Sequence, residues 1–175
     1  MFECQITASP SPNVTFYKGS KELYDTGKYR IVQEKDRYLL YVNNVNLDDQ
    51  DEYSVKAKNK GGSRMSRANL TVKCAPRIKL PERYKTTVMF EKDELVTIKI
   101  PYTANPQPSA KWWKGNEEIK PSETYQVEIT NHFVTLKIKK SSNSLSGTYK
   151  LVLANSLGSD DCEIKILIAG KYIKL

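Results

Sequence analysis

An internal repeat with a spacing of 96 residues constrains this chain more than any other feature. Three pairs of residues share that spacing: Tyr53 and Tyr149, Asn59 and Asn155, and Gly62 and Gly158. In each copy the tyrosine opens a run of alternating apolar and polar residues, which is typical of a half-buried strand. The asparagine and glycine then supply the chemistry of a tight turn. A repeat of this length indicates repeated structural units, so the 175 residues are predicted to form two units with one plan.

The first copy contains the run Asp49-x-Asp51-x-Tyr53-x-Val55-x-Ala57-x-Asn59, which resembles the D-x-G-x-Y-x-C-x-A-x-N signature of immunoglobulin I-set domains. In that family the tyrosine hydroxyl bonds back to the backbone and pins the crossover between two sheets. Upstream, Trp112 matches the family's core tryptophan on strand C, and Phe16 holds the equivalent place in the first copy. The resemblance implies an all-β fold with two tandem immunoglobulin-like (I-set) β-sandwiches joined by a short linker, the first lacking its N-terminal strands.

The resemblance also locates the strand B and strand F positions that a disulfide joins in secreted immunoglobulin domains. Cys4 would face Val55 in the first unit, and Ile100 would face Leu151 in the second, so neither unit can form that bond. Losing such a disulfide typically costs about 2–5 kcal/mol, which aliphatic packing around Trp112 has to replace. Three cysteines without a pairing framework indicate a reducing compartment. The expected fold-signature residues are Cys4, Phe16, Tyr53, Val55, Ile100, Trp112, Tyr149 and Leu151.

The strand patterns also predict where each domain begins and ends. Residues 1–73 are expected to form the first I-set domain without strands A and A′, residues 74–76 a proline-stiffened linker, and residues 77–169 the second domain. Because the first unit lacks strand A′, its last strand is expected to present an open edge. We therefore predict that the first unit is less stable and melts before the second.

The tail, residues 170–175, is predicted to begin a further repeat. Its sequence Tyr172-Ile173-Lys174-Leu175 resembles Arg77-Ile78-Lys79-Leu80, which is the expected strand A of the second unit. One hypothesis is that the tail of one molecule pairs by strand addition with the open edge of another molecule's first unit.

No pattern in the sequence indicates catalysis, a metal or a cofactor. The single histidine, His132, lies in an expected turn, and no Ser/His/Asp or Cys/His set can be assembled around it. The acidic residues near Asp49 lack the ligand spacing of a calcium loop. The net charge of +8 is spread along the strands, which favours solvated faces over a nucleic-acid footprint. No apolar run reaches the roughly 20 residues of a membrane span.

Two outer faces are candidates for protein binding. Trp113 follows the inward Trp112, so it should point outward beside Val152; the alternative is ordinary cover by lysine stems. Lys99, Lys137 and Lys139 would form a basic ridge on the other sheet, which could meet an acidic filament surface or could simply be solvated. Asn13-Val14-Thr15 and Asn69-Leu70-Thr71 match the glycosylation acceptor pattern, but both fall in or beside predicted strands and are discounted.

Disulfide-free I-set repeats in tandem resemble the giant intracellular muscle proteins of the titin, twitchin, projectin and obscurin type. That resemblance implies a non-catalytic structural segment in the cytoplasm, at the sarcomere, which acts as a spacer or elastic link. It implies contacts with neighbouring immunoglobulin or fibronectin domains and with sarcomeric filament proteins. A parent protein of this type can carry a kinase domain elsewhere. The alternative is a cell-adhesion or receptor ectodomain that binds a protein ligand; it shares the fold but ordinarily carries the B–F cysteines.

Overall fold

A computed structural model describes residues 1–170 and divides the chain into two compact units, Met1–Val72 and the part from Lys73 onward. Both units are β-sandwiches, which confirms the predicted all-β fold. The helical segments among the described residues are short 3-10 turns at Leu47–Asp49, Glu82–Tyr84 and Asn143–Leu145. None of the helices in this part of the chain has the length and apolar character needed to cross a membrane.

The first unit consists of one three-stranded and one four-stranded sheet. Its strands are β1 (Phe2–Gln5), β2 (Asn13–Lys18), β3 (Lys21–Leu23), β4 (Tyr29–Glu34), β5 (Arg37–Val42), β6 (Asp51–Asn59) and β7 (Gly62–Leu70). The sheet orders are β1-β5-β4 and β3-β2-β6-β7. Alternating apolar residues on the two inner faces bury Phe16, Leu40 and Tyr53 between the sheets.

The second unit repeats this plan with one more strand in each sheet. Its strands are β8 (Cys74–Ile78), β9 (Val88–Glu91), β10 (Val96–Asn105), β11 (Ser109–Lys114), β12 (Glu117–Ile119), β13 (Tyr125–Ile129), β14 (Phe133–Ile138), β15 (Gly147–Asn155) and β16 (Gly158–Ala169). The sheet orders are β13-β14-β10-β8 and β12-β11-β15-β16-β9. The core is larger than that of the first unit, and Trp112 at its centre is 1% exposed.

The extra strands lie on one side of the second sandwich. There β8 pairs with β10, and β9 pairs in parallel with β16 through residues Ile166 to Ala169. In the first unit, the described residues place no strand beside the corresponding edges of β1 and β7. Both β7 and β16 begin at a repeat glycine, but β7 has 9 residues and β16 has 12. The three additional residues of β16 fall within the stretch that β9 pairs with.

The boundary between the units differs from the prediction in one respect. The residues expected to form the linker, 74–76, are the first part of β8, so strand A begins at Cys74 and not at Arg77. Cys74 is opposite Asn105, and its carbonyl accepts a hydrogen bond from the Asn155 side chain at 2.9 Å. Pro76 is compatible with this strand because β8 is at the edge of its sheet and Pro76 falls where the pairing with β10 is irregular, between the paired residues Cys74 and Arg77.

Candidate protein-binding surfaces

Both units contain the tyrosine corner that the repeat predicts. The Tyr53 hydroxyl donates to the Asp49 carbonyl at 2.9 Å, and the Tyr149 hydroxyl donates to the Leu145 carbonyl at 2.6 Å. In both units burial is the main cause that raises the tyrosine pKa, so each phenol stays neutral and remains a donor. The corner therefore fixes the start of β6 and β15, the central strands from which the outer faces are presented.

The first corner is reinforced by a buried carboxylate. Asp49 caps its own turn by accepting from the Asn46 N–H at 2.8 Å, and its Oδ2 lies 2.6 Å from Lys28 Nζ. Burial acts to raise the pKa of Asp49, but the hydrogen bonds from Lys28 and Asn46 prevail, so that the pKa lies below its usual value. The side chain of Asp49 is only 6% exposed, so this pair is shielded from solvent more than an ordinary surface ion pair.

Because the pKa of Asp49 is lowered in the folded state, the stability of the first unit depends on pH. The Asp49 carboxylate stabilises fully above its unfolded pKa of about 3.9, and this stability is lost as the pH falls through the lower folded value. We expect Asp49→Asn to lower the free energy of unfolding by about 1–3 kcal/mol at neutral pH. The loss should be much smaller at acid pH, because the wild-type carboxylate is then also uncharged. Urea unfolding followed by circular dichroism at both pH values measures the difference. Asp48→Asn, an exposed neighbour, is the matched control. A cost independent of pH would contradict the prediction.

The positions of the missing disulfides are occupied by packed side chains. In the second unit Ile100 and Leu151 are both 0% exposed and belong to the same core as Trp112. In the first unit, Cys4 and Val55 are half-buried and pack against the core around Phe16. All eight fold-signature residues belong to the two cores or pack against them, so they build the scaffold of the sandwiches.

The three cysteines Cys4, Cys74 and Cys162 are free thiols. Burial, followed by the nearby charge of Glu3, raises the pKa of Cys4. Burial, with the charges of Asp160 and Asp161, raises the pKa of Cys162 to about 11. Both thiols are therefore protonated at neutral pH and are poor nucleophiles. These two cysteines act as small apolar residues in the packing.

The structure places Trp113 and Val152 on the outer face of the same sheet. Trp113 is opposite Lys150 on β15 and opposite Glu118 on β12. Val152 is opposite Lys111, two pairs further along the same strands. Both apolar residues are half-buried, and ion pairs lie on either side: Lys150 with Asp161 at 3.0 Å and Lys111 with Glu118 at 3.9 Å. The patch is therefore a small apolar centre between charged pairs, an arrangement compatible with a protein contact.

The basic ridge is less uniform than its sequence suggests. Lys99 is exposed on β10, with its Nζ 4.0 Å from the centre of the Phe133 ring, and Lys137 on β14 forms an ion pair with Glu128 at 3.0 Å. Lys139 is exposed but lies just beyond the end of β14. Only Lys99 and Lys139 thus present charge without a carboxylate partner among the residues that the structure describes. This weakens the ridge as an electrostatic docking site.

Other sequence features form no site within residues 1–170. His132 is exposed in the turn before β14, and no group of three or more His, Cys, Asp or Glu residues in this range could hold a metal ion. The tail prediction concerns residues 170–175, of which only Gly170 is described, so it stays a prediction.

One feature was not anticipated from the sequence: the side chains that hold strand A in the second unit. Asp160 accepts the Ile78 N–H at 2.7 Å, and Asn155 Nδ2 donates to the carbonyls of Cys74 and Pro106, each at 2.9 Å. The 96-residue repeat is the sequence signal that could have indicated a structural role for Asn155, because Asn155 and Asn59 are a repeat pair. The equivalent of Asp160 is Arg64, which reverses the charge.

Comparisons with known proteins agree with this architecture. The family described as "Immunoglobulin I-set domain" matches residues 1–72 and 81–168. A titin homolog of Caenorhabditis elegans is 27% identical over 168 residues, which are 95% of this chain but 1% of the relative. The SPEG neighbor protein of Homo sapiens is 31% identical over 95% of this chain and 69% of its own length. Hemicentin-1 of Homo sapiens is 28% identical over 89% of this chain and 3% of its own length.

A solved structure of the titin tandem A168–A169 gives the same result in three dimensions. It superposes with a TM-score of 0.85 and 32% sequence identity, over 95% of this chain and 88% of that one. The match extends over both sandwiches. The chain belongs to the immunoglobulin I-set family and is a tandem of the kind found in titin-like muscle proteins.

Proposed function

We propose that this chain is a non-catalytic structural segment of a larger muscle protein, in which it serves as a spacer or elastic link and as a docking surface for filament proteins. The observation that carries the proposal is the packing of Ile100 and Leu151 against Trp112 where a secreted relative would have a disulfide. A core closed by aliphatic packing suits a reducing cytoplasm, where a disulfide would be of no use. Domains of this family are generally non-catalytic, which agrees with the proposal.

The docking role is tested on the Trp113 surface. We expect Trp113→Ala to reduce co-sedimentation with purified sarcomeric filaments roughly fivefold or more, because large aromatic residues dominate the free energy of protein contacts. The half-buried position predicts only a modest loss of folding stability. Replacing Lys99 and Lys139 together by alanine is the matched control for charge-driven capture. Capture that is unchanged by Trp113→Ala but lost in the lysine variant would move the docking site to the other sheet.

The alternative function is a cell-adhesion or receptor ectodomain that binds a protein ligand. One observation favours it: the asparagines of both glycosylation patterns, Asn13 and Asn69, are exposed. The protein isolated from its native tissue should show no mass change after treatment with an N-glycosidase. A glycan on either asparagine would place the chain in the secretory pathway and contradict the cytoplasmic proposal.

A further inference from the structure

The outer face of the four-stranded sheet in the second unit carries positive charge beyond the basic ridge. Ile78 of β8 is opposite Tyr102 of β10, and both side chains pack into the core. Arg77 and Lys79, on either side of Ile78, therefore point outward. Both are exposed, as is Lys99 on the neighbouring strand, and none of the three has an ion pair within residues 1–170. Arg77, Lys79 and Lys99 together are named the cation row.

The pairing of β8 with β10 sets the spacing of the cation row. Arg77 is opposite Thr103, and the Lys79 N–H donates to the Pro101 carbonyl at 2.9 Å. Lys99 is two residues further along β10 in the same direction. Alternate residues of an extended chain are about 7 Å apart, so the three charges follow one another in steps of about 7 Å along the strands. The last step also crosses from one strand to the next.

The positive charge of this face is not required by the fold. The residue of the first unit that is equivalent to Lys99 in the repeat is Glu3, which pairs with Arg37 at 2.6 Å. The same strand position therefore tolerates either charge. Among the described strand residues on the face of the second unit, the carboxylate is that of Glu128, and it is already paired with Lys137 at 3.0 Å. The cation row is thus left to attract an anionic partner.

Two features decide what kind of anion fits. The free edge of β8 does not accept an added strand, because the Asp160 carboxylate already accepts the Ile78 N–H at 2.7 Å. The partner therefore has to bind through side chains that lie across the face. The aromatic ring on the face, Phe133, is half-buried and has Lys99 Nζ 4.0 Å from its centre. It offers no free ring for the stacking of nucleic-acid bases, so the face favours a protein segment.

We propose that this outer face binds an extended acidic segment of another protein, whose carboxylates on alternate residues pair with Arg77, Lys79 and Lys99. Alternate side chains of such a segment point to one side and repeat at about 7 Å, which matches the cation row. A single exposed ion pair contributes little, so the match in spacing over three pairs provides the specificity. This site goes beyond the proposed function, because the docking surface at Trp113 lies on the other sheet and can fail independently.

The test is a nuclear magnetic resonance titration of the isotope-labelled whole chain, at low salt, with two synthetic peptides. Both consist of serine and three glutamates in nine residues. The glutamates are two positions apart in one peptide and three apart in the other, which puts successive carboxylates on opposite sides of an extended segment. The first peptide should bind roughly threefold or more tightly, with its shifts in β8 and β10. Its affinity should fall as salt is added, because salt screens exposed charges.

Variants separate the cation row from the general positive charge of the chain. Replacing all three residues of the cation row by glutamine should weaken binding of the first peptide roughly tenfold. The matched control combines Lys58→Gln, Lys120→Gln and Lys165→Gln, which removes the same charge from exposed positions elsewhere and should change the affinity less than twofold. Lys99→Glu, which supplies the residue of the first unit, should also weaken binding and leave the circular dichroism unchanged.

Four results would overturn the proposal. They are the absence of saturable shifts at about 5 mM of the first peptide, equal affinity for both peptides, equal losses in the cation-row and control variants, and binding unaffected by Lys99→Glu. A single-stranded oligonucleotide of the same charge that binds as tightly as the first peptide would assign the face to nucleic acid, and the proposal would fail on that result as well.

Discussion

In urea, the far-UV circular dichroism of this chain should fall in two steps, and tryptophan fluorescence should change only in the second. The chain has 2 tryptophans, and both Trp112 and Trp113 belong to the second unit. Circular dichroism follows strands in both units, so the two signals separate the transitions without any label. The first unit should unfold first because its sandwich is open on one side and its core is smaller.

The expected gap between the two transitions follows from the missing side chains. Complete burial of one aliphatic or aromatic side chain stabilises by about 1.5–3 kcal/mol. The second unit buries parts of Ile78, Leu80, Val88 and Phe90 that have no counterpart in the described residues of the first. After the entropic cost of ordering these residues is subtracted, we expect the free energies of unfolding of the two units to differ by about 2 kcal/mol. It corresponds to a difference in melting temperature of roughly 10 °C. Coincident transitions, or a fluorescence change that comes first, would contradict this order.

Trp112→Ala should abolish the second transition altogether, while the first remains where it is in the wild type. The indole is 1% exposed and lies among Ile100 and Leu151, which take the place of the disulfide. Truncation of a buried aromatic residue to alanine typically costs about 3–5 kcal/mol, which is a large part of the stability of a domain this size. Thermal melts followed by circular dichroism measure the loss, and Trp113 remains as the fluorescent reporter.

The internal repeat supplies the matched control for this variant. Trp112→Phe places in the second unit the residue that the first unit already uses at the equivalent position, Phe16. The Trp112 Nε1 has no hydrogen-bond partner within the described residues, so phenylalanine removes volume but no hydrogen bond. We therefore expect a loss clearly smaller than that of alanine. If the two variants are equally destabilised, the role of Trp112 is not simply to fill the core.

The fold could be predicted from the sequence because its determinants are local and repeated. Tyr53 and Tyr149 each follow a tight corner and lie near the start of a strand in which apolar and polar residues alternate. The same pattern in both copies makes the prediction more specific. The comparisons confirm the resulting I-set tandem. Where no such motif exists, the prediction is less accurate. Lys21–Leu23 and Glu117–Ile119 are strands too short to show a period, and their existence depends on pairing with β2 and β11.

The surfaces were harder to predict, because a sequence pattern gives direction but not neighbours. Alternation predicts that Trp113 is opposite in direction to Trp112, but not that two ion pairs lie beside it, made by the four residues Lys111, Glu118, Lys150 and Asp161. Strand A begins at Cys74 because Asn155, 81 residues later, holds the Cys74 carbonyl. The sequence shows that Arg64 in the first unit takes the position that Asp160 has in the second. It does not show that the Asp160 carboxylate accepts a hydrogen bond from the Ile78 N–H.

The parallel pairing of β9 with β16 has a mechanical consequence. β9 is near the beginning of the second unit and β16 near its described end, so a pull on the two ends drives these strands in opposite directions along their length. The hydrogen bonds between them are then loaded in shear and have to break together, whereas an antiparallel hairpin such as β15–β16 could open one bond at a time. Stretching should therefore meet its highest resistance where those two strands slide past each other.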